Sequence, residues 1–157
     1  MKLSFQKPPF VLGILKAKGG LFMERVFVYG SLREGFWNFQ RLLKGKVNSI
    51  TSAEIKGILY HLPEGYPAVI EGDGNVKGEV VELVDDDLLV KLDNLECYRG
   101  EGQNNLYDRK NIKVRLEGGE DIYCWVYFYN RGNFQHLKEN GVLITDGDWK
   151  KFIKGGK

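Results

Sequence analysis

RVFVYGSLREGFWNFQRLL, residues 25–43, opens with an apolar run, Val26 to Tyr29, that halts at Gly30-Ser31-Leu32 and resumes as an aromatic-rich helical segment. Residues 25–30 read as a buried strand, β-branched or aromatic and bounded by glycine. Phe36 to Leu43 reads as a short helix with Phe36, Phe39, Leu42 and Leu43 on one side. A strand that stops in a tight glycine turn exposes backbone N–H groups at its tip. The Gly30-to-Gly35 spacing lacks the Lys-Ser/Thr ending of a phosphate-binding P-loop. Such a turn is better suited to a carboxylate or an oxyanion.

Downstream, residues 53–62 alternate as a strand should. Residues 66–72 and 76–84 read as two further strands, separated by a strong turn signal, Gly72-Asp73-Gly74-Asn75. The period then changes. Asp85, Asp86 and Asp87 can cap a helix start, and Leu88, Leu92 and Leu95 follow helical spacing. RGEGQNNL, residues 99–106, reads as a polar loop. Strands are expected at about 107–116 and 121–129, joined by a hairpin at Glu117-Gly118-Gly119-Glu120. The tail GDWKKFI reads as a short helix capped by Asp146 or Asp148. Many strands, one well-formed helix and glycine-rich turns make an α+β fold whose sheet curls into a small mixed β-barrel with flanking helices.

The chain has 157 residues, 43% of them apolar and 13% aromatic, with 20 glycines and a formal net charge of +2. That suits a single domain over 24–157, with residues 1–23 as an N-terminal extension and Met23 as an alternative start. No basic block with interleaved aromatics points to nucleic acid, and no apolar run reaches the roughly 20 residues of a membrane span. Two cysteines in a chain of this length fit a reducing, cytoplasmic setting.

At 100° per residue, Leu88, Leu92 and Leu95 cluster in a narrow sector of the helix, with Leu89 and Glu96 beside them. Asp93 points further out and Asn94 lies on the far side. Glu96 therefore has two readings. It projects into the apolar layer, where desolvation and the helix C-terminus raise its pKa and make it a proton carrier near neutral pH. Alternatively it reaches water at the edge of the stripe, or pairs with Arg99 or Arg109.

Other constellations fail on spacing. His61, His136, Cys97 and Cys124 match no zinc pattern. Cys97 has no base indicated nearby and is expected as a small buried hydrophobe. Ser31 does not stand in a nucleophile elbow. Trp125, Tyr127 and Tyr129 share one strand face, as core or pocket wall.

VFVYGSLREG, KLDNLECY, YDRKNIKV, CWVYFY and DGDWKKF, in that order over residues 25–153, resemble the gamma-glutamylcyclotransferase-like family. That group contains gamma-glutamylamine cyclotransferase and the avirulence-induced, AIG2-like plant proteins. The resemblance implies a small mixed barrel and an enzyme that cyclises a gamma-glutamyl group to 5-oxoproline, releasing an amine. It implies Glu96 as the acid–base residue and Tyr29, Gly30, Ser31 and Leu32 as the substrate-cradling loop. Tyr107 matches a pocket-lining tyrosine. No metal or cofactor is implied, and the partner is a small gamma-glutamyl molecule. The extension has no counterpart, and the loop at 99–106 is longer than in compact members. A non-catalytic barrel binding a small ligand in the same pocket is the alternative of a different class.

Overall fold

Val26, Phe27 and Val28 sit in a four-residue strand, β1 (Arg25–Val28), whose side chains alternate between two cores. This is a computed structural model and describes residues 23–155; of the expected N-terminal extension, residues 1–23, all but Met23 lie outside the described residues. After β1 come a π-helical turn (Phe39–Leu43), β2 (Val47–His61), β3 (Pro67–Leu83), α1 (Asp87–Leu95), β4 (Tyr107–Leu116) and β5 (Asp121–Tyr129). A short 3-10 turn leads into α2 (Phe134–Asn140), then β6 (Val142–Leu143) and α3 (Trp149–Lys154).

The sheet order is β3-β1-β5-β4-β2-β6, and a further β2–β3 pairing closes the first five strands into a barrel. Every pairing is antiparallel except β1 with β5, where Val26 lies opposite Trp125 in parallel. β6 is an added edge, pairing Leu143 with Tyr60. The expected α+β mixed barrel with flanking helices is the observed architecture.

Alternation along the strands separates the two cores. Phe27, Ile55, Val69, Val76, Val80, Val114, Val126 and Phe128, drawn from all five ring strands, fill the barrel with Trp149 against them. A ring this small is filled by side chains rather than left hollow. Val26, Val28, Trp125, Tyr127 and Tyr129 face outward and are covered by Leu88, Leu89 and Leu92 of α1 and by Phe39 and Leu43 of the π-turn. The candidate-site cavity lies mostly in this outer layer, with Phe27 and Tyr29 of the barrel core also lining it. Asp148 caps α3 as expected, accepting from Lys151 N at 3.2 Å. The Trp149 indole N–H donates to His61 Nδ1 at 3.1 Å and anchors the helix to β2.

Three expectations need correction. Residues 67–83 form one strand, not two. The glycine signal at 72–75 marks a bulge: Lys56 pairs with Asn75 and Ile58 with Ile70, so residues 71–74 stand opposite Gly57 alone. These glycines serve close approach rather than a turn, since a Cβ on Gly74 would lie 2.8 Å from Gly57 O. The predicted helix over 36–43 widens into the π-turn, with Lys44 N bonded to Phe39 O at 2.9 Å. Cys97 is exposed, and the buried thiol is Cys124. Among the described residues no helix is long and apolar enough to cross a membrane.

Candidate active site

β1 delivers Tyr29 into a loop whose first residue, Gly30, must be glycine: a Cβ there would meet the Pro67 ring at 2.7 Å. Arg33 N closes the turn onto Gly30 O at 2.9 Å. The loop is then fastened to the barrel. Arg33 Nε reaches Glu79 Oε2 at 3.3 Å and its Nη1 reaches Asp148 Oδ1 at 3.2 Å, while Glu34 N donates to Glu79 Oε1 at 2.9 Å. The backbone N–H groups of Gly30, Ser31 and Leu32 donate to no other group among the described residues. They remain available to a ligand.

The opposite wall comes from the end of α1. Asp85 Oδ1 accepts from Leu88 N at 3.3 Å at the helix start, and Leu88, Leu89 and Leu92 are buried. The helix closes with Tyr98 N bonded to Asp93 O at 2.9 Å and Cys97 N to Asn94 O at 3.2 Å, a Schellman pattern. The residue after the cap must then be left-handed, and Cys97 takes φ 56° where glycine is usual. Glu96 is thereby held at the cap itself. The left-handed backbone costs an L-residue about 1–2 kcal/mol. Cys97→Gly is therefore expected to raise the melting temperature by about 2–4 °C, after the greater chain entropy of glycine is offset. A lower melting temperature would contradict this account of the helix end.

Tyr29, Gly30, Ser31, Leu32, Glu96 and Tyr107, the six residues singled out from the sequence, line one cavity of about 290 Å³. Asn38, Tyr66, Pro67, Leu95, Leu106 and Tyr127 complete much of the wall. Two of the tyrosines present their rings rather than their hydroxyls. Tyr29 OH donates to Tyr127 O at 2.5 Å and Tyr107 OH to Pro67 O at 2.6 Å. Burial pushes both phenols well above their ordinary range, so they stay neutral. No Lys, Arg or His lines this cavity.

Glu96 is half-buried; its backbone N–H donates to Leu92 O at 2.9 Å, but its carboxyl makes no hydrogen bond or ion pair with any described residue. Desolvation, and then the nearby Asp93 carboxylate, push its pKa from 4.5 to about 7. The pairing with Arg109 that the sequence left open does not occur. Arg109 Nη1 is bonded to both oxygens of Asp93, at 3.2 and 2.9 Å, and its guanidinium stacks 4.3 Å from the Trp125 ring. Asp93 was expected further out. It is held inward instead, accepting also from Tyr127 OH at 2.7 Å. Glu96 is thus left as the unpaired acid in a cavity without cations.

The polar loop at 99–106 is ordered by Asn105. Its Oδ1 accepts from Arg99 N at 2.7 Å, and its Nδ2 donates to Gly100 O at 2.8 Å and to Asp108 Oδ1 at 2.9 Å. That closure sets Leu106 against the cavity. Among the described residues no three His, Cys, Asp or Glu side chains gather as a metal would need. Asn38 and Asp93 are polar residues of the site that sequence reasoning did not single out, whereas Tyr127, read as core or pocket wall, does line the cavity. Only the short spacing of Asn38 from Ser31 could have flagged one of them.

A closed mixed barrel, with an unpaired acid at a helix end facing a strand-end loop of free N–H groups, places this chain among the small barrel folds of the AIG2 type. The chain belongs to the gamma-glutamyl cyclotransferase, AIG2-like family, whose sequence pattern matches residues 26–151. It is 36% identical over 132 residues to a Methanocaldococcus jannaschii protein assigned as a gamma-glutamylcyclotransferase, covering 83% of this chain and 98% of that one. It is 35% identical over 136 residues to the gamma-L-glutamyl-butirosin B gamma-glutamyl cyclotransferase of Niallia circulans, covering 86% of this chain and 81% of that enzyme. Among solved structures, YkqA from Bacillus subtilis superposes with a TM-score of 0.60 at 28% identity. The match covers 87% of this chain but only 44% of YkqA.

Proposed function

We propose that this protein releases 5-oxoproline from a gamma-glutamyl amine by intramolecular attack of the substrate's alpha-amine on its gamma-carbonyl, with Glu96 as acid and base. Residues 24–157 act as one catalytic unit in this reading. The observation that carries it is an unpaired carboxyl with a pKa of about 7 in the same cavity as the free N–H groups of Gly30, Ser31 and Leu32. The attack closes a five-membered ring, so holding the substrate in a folded conformation supplies much of the acceleration. A free alpha-ammonium has a pKa of about 8. A neutral-amine fraction is therefore present near pH 7, and a base near 7 can take a proton from that amine as it attacks without being too weak to matter.

The steps balance on one carboxyl. The alpha-ammonium first releases one proton to water; the neutral amine nitrogen then bonds to the gamma-carbon as Glu96 accepts its second proton. The carbonyl electrons move onto oxygen, where the loop N–H groups stabilise the charge. The oxyanion then collapses, the bond to the leaving nitrogen breaks, and Glu96 returns its proton to that nitrogen. The products are 5-oxoproline and a free amine. Tyr29 and Tyr107 supply wall rather than protons, since both hydroxyls are committed to backbone carbonyls. The free thiols Cys97 and Cys124 suit action in the reducing cytoplasm.

Assay of 5-oxoproline release across a panel of gamma-glutamyl compounds tests the proposal. Binding of such compounds without release would favour the non-catalytic ligand-binding alternative. The cation-free lining makes a further prediction for the same panel. A leaving group with its own carboxylate would bury an uncompensated charge near Glu96. Gamma-glutamyl-n-butylamine is therefore expected to exceed gamma-glutamylglycine by about tenfold or more in kcat/KM, each tenfold being about 1.4 kcal/mol. Equal values would show that the leaving side is not enclosed by this lining.

A further inference from the structure

We infer that Asn38 is a positioning residue that aims the Ser31 hydroxyl, as a donor, at the substrate's alpha-carboxylate, with Arg41 fixing the direction of the amide. This rests on the proposed reaction and adds a specific means of holding its substrate.

Asn38 stands immediately before the π-turn Phe39–Leu43, the position at which an asparagine side chain ordinarily accepts from a free helix N–H. It makes no such capping bond. Its amide instead bridges two side chains: Nδ2 donates to Ser31 Oγ at 2.7 Å and Oδ1 accepts from Arg41 Nη2 at 2.9 Å. A guanidinium can only donate, so Oδ1 must face Arg41 and Nδ2 must face Ser31. The polarity of the chain is thereby set from its solvent end. The backbone reinforces the placement, with Phe39 N donating to Ser31 O at 3.1 Å.

A hydroxyl has one hydrogen and two lone pairs. With a lone pair of Ser31 taken by the amide, its hydrogen is left for another acceptor, and no described protein group accepts it. Ser31 and Asn38 both line the cavity. Because no cationic side chain lines that cavity, an alpha-carboxylate there has to be held by neutral donors. A hydroxyl already accepting from a polarised amide is a stronger donor than an isolated one. The Arg41–Asn38–Ser31 chain thus carries part of the effect of a cation to the carboxylate while keeping the guanidinium outside the lining.

Asn38→Asp tests the direction of the chain. It keeps the shape and the Arg41 contact, but turns a donor into an acceptor. The Ser31 hydrogen would swing to the new carboxylate and away from the ligand. The expected result is about 10–100-fold weaker binding of 5-oxoproline by calorimetry, with KM for a gamma-glutamyl amine rising more than kcat falls. A double-mutant cycle gives the second readout. Asn38→Ala should weaken 5-oxoproline binding in the wild-type background but have no effect when Ser31 is already Ala. Equal losses in both backgrounds, or unchanged binding by Asn38→Asp, would overturn the relay while leaving the reaction intact. A wild-type protein that neither binds 5-oxoproline nor releases it from any gamma-glutamyl amine would overturn the reaction and the relay together.

Discussion

Glu96→Gln is expected to cut kcat by at least ~100-fold, the lower range for losing a general acid–base group, while making the protein more stable at neutral pH. The two effects share a cause. Glutamine keeps the size of the side chain but cannot take the proton from the attacking amine or return it to the leaving one. Desolvation and Asp93 raise the carboxyl from 4.5 to about 7, so in that interval the folded state binds a proton that the unfolded state does not. Stability therefore falls as pH rises from about 4.5 to about 7, by up to about 3 kcal/mol, and stays reduced above it. The glutamine variant lacks this penalty. Its advantage in urea denaturation should be full at pH 8 and vanish below pH 4.5. Wild-type kcat/KM should fall as pH drops through about 7, because the base is lost. A variant with full activity would remove Glu96 from the chemistry. A variant with no stability gain at pH 8 would show that the carboxyl is not desolvated.

Glu79→Ala is expected to cost about 3 kcal/mol and lower the melting temperature by about 6–12 °C. Arg33 and Glu79 are only 8% and 7% exposed, so removing the carboxylate strands a buried guanidinium. Breaking such a pair costs about 3–5 kcal/mol, and the lower end applies because Asp148 still holds Arg33 Nη1. The same change removes the acceptor for Glu34 N–H, so the loop that begins at Gly30 loses its main tie to β3. Binding of 5-oxoproline should weaken alongside stability. The double replacement Arg33→Met with Glu79→Leu leaves no stranded charge, so it should recover most of the stability but not the binding. A single variant that melts within 2 °C of wild type would show that the loop is held by something else.

The two motifs that define the cavity were legible because each is local. A β-branched run stopping at Gly30 and leucines at helical spacing before Glu96 are patterns within one element. Their shared cavity followed from the family resemblance, not from spacing. What escaped the sequence depends on partners far along the chain. The glycines at 72 and 74 look like a turn until Gly57 and Ile58 of the neighbouring strand come within contact distance. Asp93 looks solvent-facing on a helical projection, yet it is claimed by Arg109 and Tyr127, 16 and 34 residues away. That pairing decides the site, because it takes up Arg109 and leaves the Glu96 carboxyl alone. Asn38 was hidden for another reason. Its short distance from Ser31 is visible, but the direction of its amide depends on Arg41.

The left-handed thiol after the helix cap gives this barrel a native chemical handle. Cys97 is exposed, while Cys124 is sealed inside with its pKa pushed up to about 12, so electrophiles should discriminate between them without mutagenesis. A fluorophore attached there would sit one residue from Glu96 and report occupancy of the cavity in real time. The same attachment point would let a fragment library be screened by covalent tethering.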